Sequence, residues 1–176
     1  LVNRTIFIPF GVGLYQYKMR QDLQMTKNIF VFSGKKRDEE TVIKAWGAIM
    51  KEHSNKGYNL CFVGTKKQYV LPNIRCIHWL EYRQYIDMLE SAAFVIVPLE
   101  EHPYSYGQMS LLGSLALGKY VIASKVSGIS DYTEKCHSVI SVKQHDVNEM
   151  YRAIKKYINE KVKSKDRNIP RNEVEN

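Results

Sequence analysis

The amino-acid sequence predicts an α/β fold, a doubly wound parallel sheet of about six strands with helices on both faces. Three observations favour it. Short apolar runs of strand length alternate with amphipathic helical patterns, as in βαβ units. The run "FVIVPL" (94–99) is almost continuously apolar, which is typical of a central strand buried on both faces. Right-handed crossovers then favour the strand order 3-2-1-4-5-6.

Strands and helices alternate from residue 28 to residue 162. The helix predicted for 38–53 places Val42, Trp46 and Ile49 on one face, and the acidic residues at its start suit the helix dipole. Another helix lies within 105–118 and ends at Gly118. The predicted strands are 28–34, 59–64, 73–80, 94–99, 120–124 and 138–142, and the remaining helices are 81–92 and 146–162.

The length of 176 residues fits one domain. We predict a domain over residues 1–162 and a polar C-terminal tail over 163–176, which we expect to be disordered. The chain begins with Leu1 rather than Met, so we expect it to be a piece of a longer protein. No apolar run has the length of a membrane span, and no signal peptide is recognisable at the start.

The net charge limits the class of partner, and the cysteine spacing indicates the redox compartment. The formal net charge is +8, which suits an anionic partner or, as an open alternative, reflects a basic face in water. The three cysteines are widely spaced, so we expect free thiols in a reducing compartment. No CxxC or HExxH motif is present, and we predict no metal site.

A candidate anion site lies where the predicted strand order reverses, because ligands of open parallel sheets bind beyond the carboxyl ends of the strands there. Two loops flank this point, "SGKKRD" (33–38) and "LEEHPYSYGQ" (99–108). The first brings a glycine and three cations, and the second opens a helix whose backbone amides attract anions. The candidate diphosphate-binding residues are Gly34, Lys35, Lys36, Arg37, Tyr106, Gly107, Gln108 and Met109.

Each of these features also has a purely structural interpretation. Gly107 would merely permit a turn, Ser105 would merely cap the helix, and the basic turn would merely face water. Neither the P-loop motif nor the GxGxxG fingerprint is present. At the end of the third strand, Trp79 and Leu80 are candidates for stacking on a base, and Trp79 fits the core equally well.

Four stretches resemble one known family in the expected order, over roughly residues 6–160. "IFIPFGVG" (6–13) is similar to the "IPNGVD" stretch of retaining glycosyltransferases of family 4, which have the GT-B fold. "FSGKKRDEETVIKAW" (32–46) resembles their glycine followed by a basic pair. "YGQMSLLGSLALGKYVIAS" (106–124) resembles "GxxxLEAMAxGxPVIAS", and "SGISDYTE" (127–134) resembles the "GGxxE" loop.

The resemblance implies the C-terminal, donor-binding half of such an enzyme, a Rossmann-like domain for a UDP- or GDP-linked sugar. It implies a retaining, metal-independent glycosyltransferase of the cytoplasm, with possible attachment to the inner face of the plasma membrane. The missing N-terminal half would bind a glycan or lipid-linked acceptor in polysaccharide or cell-surface glycan synthesis, and this chain alone would be inactive. No further cofactor and no nucleic-acid partner are expected, and the catalytic residues are unknown.

Two departures from the family pattern bear on activity. The family has two glutamates separated by seven residues, and these positions fall on Ser105 and Gly113. The second glutamate normally holds the ribose of the donor, so Gly113 marks the base and ribose subsite without its usual side chain. Ser110 and Gln108 are candidate substitutes. Two alternatives therefore stay open: a degenerate, non-catalytic relative that binds a nucleotide or a protein, and a basic module for nucleic acid or a membrane surface.

Overall fold

A computed structural model of the chain describes residues 10–162 and 165–175. Part of the stretch 6–13, which carried one element of the resemblance, therefore lies outside the described residues. The sheet has six parallel strands in the order β3-β2-β1-β4-β5-β6, and both the fold class and the strand order predicted from the sequence are confirmed. The strands are β1 (Asn28–Phe32), β2 (Asn59–Val63), β3 (Ile74–Ile77), β4 (Phe94–Val97), β5 (Val121–Ser124) and β6 (Val139–Val142).

Helices connect these strands, and short polar side chains fix where two of them begin. The carboxylate of Asp38 accepts a hydrogen bond from the Thr41 amide at 3.1 Å, and Asp146 accepts one from the Glu149 amide at 2.8 Å. The helices are α1 (Glu39–Lys51), α2 (Tyr82–Ser91), α3 (Gln108–Ala116), α4 (Ser130–Thr133), α5 (Val147–Asn159) and α6 (Asn168–Glu175).

The sheet separates two hydrophobic cores. On one face α1 and α5 bury Trp46, Ile49 and Ile154 against the strands, and on the other α2 and α3 bury Leu89 and Leu111. These five side chains are fully buried, and each contributes roughly 1.5–3 kcal/mol relative to exposure. The predicted packing of helices on both faces is thus present.

The polar tail is partly ordered, which corrects our expectation that residues 163–176 are disordered. Residues 168–175 form α6, which packs beside α3. One guanidinium nitrogen of Arg171 donates to the carbonyls of Tyr17 and Ala116, each at 2.7 Å. The tail looks like a solvated segment by composition, yet its arginines satisfy carbonyls that the end of α3 leaves unpaired. No helix in the described part of the chain is long and apolar enough to cross a membrane.

Candidate functional site

The two loops at the switch point are in contact, as the strand order predicts. The Asp38 amide donates to the Pro98 carbonyl at 2.9 Å, and the Glu100 amide donates to the Lys36 carbonyl at 3.2 Å. The Tyr106 hydroxyl donates to the same Lys36 carbonyl at 2.6 Å. These bonds hold the basic turn after β1 against the loop that leads into α3, and they define one crevice at the carboxyl edge of β1 and β4.

Arg37 is the cation that enters this crevice. Its Nη2 donates to the Ser110 hydroxyl on α3 at 3.2 Å, and its guanidinium carbon lies 5.5 Å from the centre of the Tyr106 ring. Its Nη1 is buried, and no described residue hydrogen-bonds to it. Burial lowers the pKa of Arg37, and no ion pair with a described carboxylate offsets that cost. A half-buried cation with an unpaired nitrogen is unfavourable on its own, and a bound anion would satisfy it.

The N-terminus of α3 lies beside Arg37. The helix has nine residues, begins at Gln108 and has no side-chain cap. The first amides of a helix have no intrahelical partner and carry part of the positive end of its dipole. The amides of Gln108 and Met109 therefore present donors in the first turn of the helix that Arg37 contacts through Ser110. The structure places these predicted residues in one crevice, and their role in binding a diphosphate stays a prediction.

Gly107 and Ser105 lie just before α3, and the predicted capping role of Ser105 is wrong. Gly107 has φ of +93°, and a Cβ built there would lie 2.6 Å from a methyl carbon of the buried Leu99. The fold therefore requires glycine at this position whether or not an anion binds there. Ser105 does not cap the helix, because its hydroxyl donates to the Gly128 carbonyl at 2.8 Å. The Gln108 side-chain amide donates to that carbonyl as well, at 3.0 Å.

The other residues of the basic turn do not point at α3. The Gly34 amide donates to the carboxylate of Glu39 at 2.9 Å, and this buried carboxylate also accepts from the Tyr69 hydroxyl. The N-terminus of α1 thus already holds an anionic group from its own chain. Lys36 contacts His102 and Tyr104, with its amine 4.0 Å from the centre of the Tyr104 ring. Lys35 is exposed, so Arg37 is the member of the predicted cationic cluster that contacts α3.

The residues predicted for the base differ in their environment. Trp79 follows β3 and is 70% exposed, so the interpretation of this ring as core is wrong. Leu80 packs against the core formed by α2 and α3. An exposed indole beyond the carboxyl end of a strand is available to stack on a base, and that role remains a prediction.

The ribose candidates lie along one face of α3. Ser110 accepts from Arg37, and Gly113 follows three residues later on the same side of the helix. Gly113 is covered by Tyr17, since a Cβ built on it would lie 3.0 Å from both Cε1 and the hydroxyl oxygen of that ring. Sequence reasoning missed Tyr17 and the neighbouring Tyr85. Neither belongs to a motif, and only the glycine at a family glutamate position signals that another residue fills this space.

A cleft of about 470 Å³ adjoins the crevice on the far side of the loop before α3. Hydroxyl and amide groups line it together with the carboxylate of Asp131, so it suits a polar ligand. No group of three His, Cys, Asp or Glu side chains among the described residues is placed to hold a metal ion. The cleft is lined by Phe10, His102, Pro103, Tyr104, Ser105, Gln108, Ser127, Gly128, Asp131 and Tyr132.

Comparison with solved structures identifies relatives of the fold. The chain superposes on a sucrose-phosphate synthase from Thermosynechococcus elongatus with a TM-score of 0.70 and 19% identity, covering 96% of this chain and 46% of that protein. It superposes on WaaG, a glycosyltransferase involved in lipopolysaccharide biosynthesis, with a TM-score of 0.67 and 14% identity, covering 88% of this chain and 44% of that one. The chain therefore spans less than half the length of these two proteins.

A third structure matches over its whole length. The C-terminal domain of a group 1 family glycosyl transferase, LpcC from Francisella tularensis, has a TM-score of 0.70 and 12% identity, covering 94% of this chain and 97% of that domain. No curated protein matches the chain. The sequence profile described as "Glycosyl transferases group 1" matches residues 27–160. The profile match includes the whole sheet and both loops of the crevice, and the chain belongs to the group 1 glycosyl transferases.

Proposed function

We propose that this chain is the donor-binding domain of a glycosyltransferase and that it holds the diphosphate of a nucleotide sugar between Arg37 and the first amides of α3. The observation that carries the proposal is the half-buried side chain of Arg37, whose buried Nη1 has no partner among the described residues. A diphosphate supplies the missing acceptors, and charge-assisted hydrogen bonds of this kind are the strong ones.

The same two groups would stabilise the leaving diphosphate during transfer. Fixed donors aimed at developing negative charge lower the barrier without a metal ion, so we propose a metal-independent reaction. From the resemblance to the retaining enzymes of family 4, we propose that the reaction retains the anomeric configuration. The acceptor, a glycan or a lipid-linked sugar, would be bound by a second, N-terminal half in the cytoplasm. The extent of the structural matches supports this division, since the chain covers 44% of WaaG and 97% of an isolated C-terminal domain.

Titration calorimetry on the 176-residue chain tests the binding step. We expect UDP or GDP to bind weakly and the matching nucleoside to bind barely at all, because the nucleoside lacks the diphosphate. We also expect no sugar transfer by this chain without its N-terminal half. A folded sample that gives no heat with either nucleoside diphosphate would contradict the proposal, and sugar transfer by the isolated chain would contradict its division into halves.

A second candidate function is a non-catalytic relative that binds a nucleotide without turnover. The specific observation in its favour is that both glutamate positions of the family are altered in this chain. Ser105 faces the Gly128 carbonyl, and Gly113 lies under the ring of Tyr17. Activity of the complete protein, with both halves present, separates this candidate from the enzyme.

The net charge of +8 keeps a third candidate open, a basic module for nucleic acid or a membrane surface. Diffuse attraction of that kind falls steeply with ionic strength and does not depend on any one arginine. Binding of UDP that persists at high salt and depends on Arg37 would favour the donor site over the basic module.

A further inference from the structure

Tyr17 occupies a fixed position beside α3. It follows a short 3₁₀ turn (Leu14–Gln16), and its carbonyl accepts a hydrogen bond from Arg171 of α6 at 2.7 Å. The residue is only 7% exposed. On the opposite side, a Cβ at Gly113 would lie 3.0 Å from the hydroxyl oxygen and 3.1 Å from Cζ of the ring. The absence of a side chain at Gly113 is therefore what lets the phenol end of Tyr17 lie against the helix.

The hydroxyl of Tyr17 is free to bind a ligand. No described residue forms a hydrogen bond with it, and it is not among the fully buried polar atoms without a partner, so it keeps contact with solvent. Burial raises the pKa of Tyr17, so this hydroxyl stays protonated at neutral pH and can both donate and accept.

Arg37 and Tyr17 contact neighbouring positions on one face of α3. Ser110 holds Arg37, and Gly113 holds Tyr17 one helical turn further along the same face of α3. One turn rises about 5 Å along the axis, which is the scale of the step from a phosphate to the sugar it esterifies. Burial raises the pKa of the neighbouring Tyr85, with Tyr17 and Tyr82 adding to the shift and Arg37 opposing it.

We propose that the Tyr17 hydroxyl binds a ribose hydroxyl of the nucleoside diphosphate, a role that rests on the donor site proposed above. Tyr17 and Gly113 form a matched pair. The glycine leaves room beside α3, and the Tyr17 hydroxyl, from a segment outside the family motifs, supplies a polar group in place of the family's glutamate. The ribose hydroxyl group is thus recognised by a neutral donor and acceptor where the family pattern has a carboxylate.

Calorimetry with UDP, GDP and their 2′-deoxy and 3′-deoxy forms tests this proposal. A neutral hydrogen bond corresponds to a change in Kd of about 3- to 10-fold. We expect the unmodified chain to discriminate against at least one deoxy form by that factor. In Tyr17→Phe the preference should vanish, while the affinity for pyrophosphate stays the same. Tyr15→Phe is the matched control, because Tyr15 lies in the same segment and is 75% exposed; it should leave the preference intact.

The outcomes separate this inference from the proposed function. If UDP and GDP bind and Tyr17→Phe keeps the full preference for the ribose hydroxyl, the inference is overturned and the donor site stands. If neither nucleotide binds the unmodified chain, both are overturned. Gly113→Ala is a second variant that keeps the tyrosine, and its methyl group requires the phenol end of Tyr17 to shift by a few tenths of an ångström. It should weaken the preference for the ribose hydroxyl, so Tyr17 is tested even if Tyr17→Phe does not fold.

Discussion

Arg37→Met removes the half-buried guanidinium of the crevice while keeping an unbranched side chain about as long as the aliphatic stem of arginine. In the free chain Arg37 has one nitrogen bonded to Ser110 and another with no partner among the described residues. With a diphosphate present, that second nitrogen would form a charge-assisted hydrogen bond. The substitution therefore removes a group that contributes chiefly when the ligand is bound.

The size of the effect follows from that bond. A hydrogen bond to a charged group contributes roughly 1.5–3 kcal/mol, so the Kd for UDP or GDP should rise by about 10- to 100-fold. The free energy of unfolding of the free chain should stay the same or rise by about 1 kcal/mol, because a half-buried charge without a counterion is itself unfavourable. Loss of binding without loss of stability is the signature of a binding group.

Calorimetry and urea unfolding measure the two quantities, and Arg152→Met is the matched control. Arg152 is exposed on α5, which packs on the opposite face of the sheet, and its replacement changes the net charge equally. We expect the control to leave Kd within about twofold at 0.15 M salt, since exposed charges beyond a Debye length of roughly 8 Å are screened. Equal weakening in both variants would show diffuse attraction, and a destabilised Arg37→Met chain with unchanged Kd would show a structural role.

Three further predictions concern stability. Gly107→Ala should lower the free energy of unfolding by about 1–3 kcal/mol, because φ is +93° and the methyl would meet Leu99. The control Gly47→Ala lies in open space within α1 and should raise that free energy by about 0.5–1 kcal/mol in the same urea titration. An unchanged free energy of unfolding in Gly107→Ala would contradict this prediction. Burial lowers the pKa of Lys119 from 10.5 to about 7, with Glu90 opposing and Arg167 adding to the shift. Between about pH 7 and pH 10.5 the unfolded chain therefore binds more protons than the folded chain, so the free energy of unfolding should rise with pH in this range. Lys119→Met should flatten that rise. An unchanged slope in the variant would show that Lys119 titrates as an ordinary lysine. Arg171→Met should speed amide hydrogen exchange in α6 but not in β1, and unchanged exchange would mean that other contacts hold the helix.

The sequence predicts the fold well because the signal for it is local and repeated. Each apolar run is long enough to be recognised by itself, and parallel pairing follows from the helices between the runs. The errors lie at the ends of the predicted strands. The run 73–80 shortens to Ile74–Ile77, since Trp79 has left the sheet and is exposed. The run 94–99 ends at Val97 because Pro98 already bonds to the basic turn.

The site was harder to predict, because side-chain direction depends on partners far along the chain. Position in the sequence does not separate Arg37 from Lys36, yet one reaches α3 and the other contacts Tyr104. Composition alone made residues 163–176 look disordered, and the carbonyls that hold Arg171 lie more than fifty residues away. Tyr17 was missed for the same reason, since its contact with Gly113 is a feature of tertiary packing.

The most direct test of the account is a titration of the ¹⁵N-labelled chain with pyrophosphate, followed by amide chemical shifts. We expect saturable shifts at the amides of Gln108, Met109 and Ser110, where α3 begins without a cap. The amides of Gly34 and Thr41 should not move, because Glu39 and Asp38 already accept from them. Shifts confined to residues 34–41, or a uniform drift that 0.5 M salt abolishes, would place the anion elsewhere and contradict the proposed donor site.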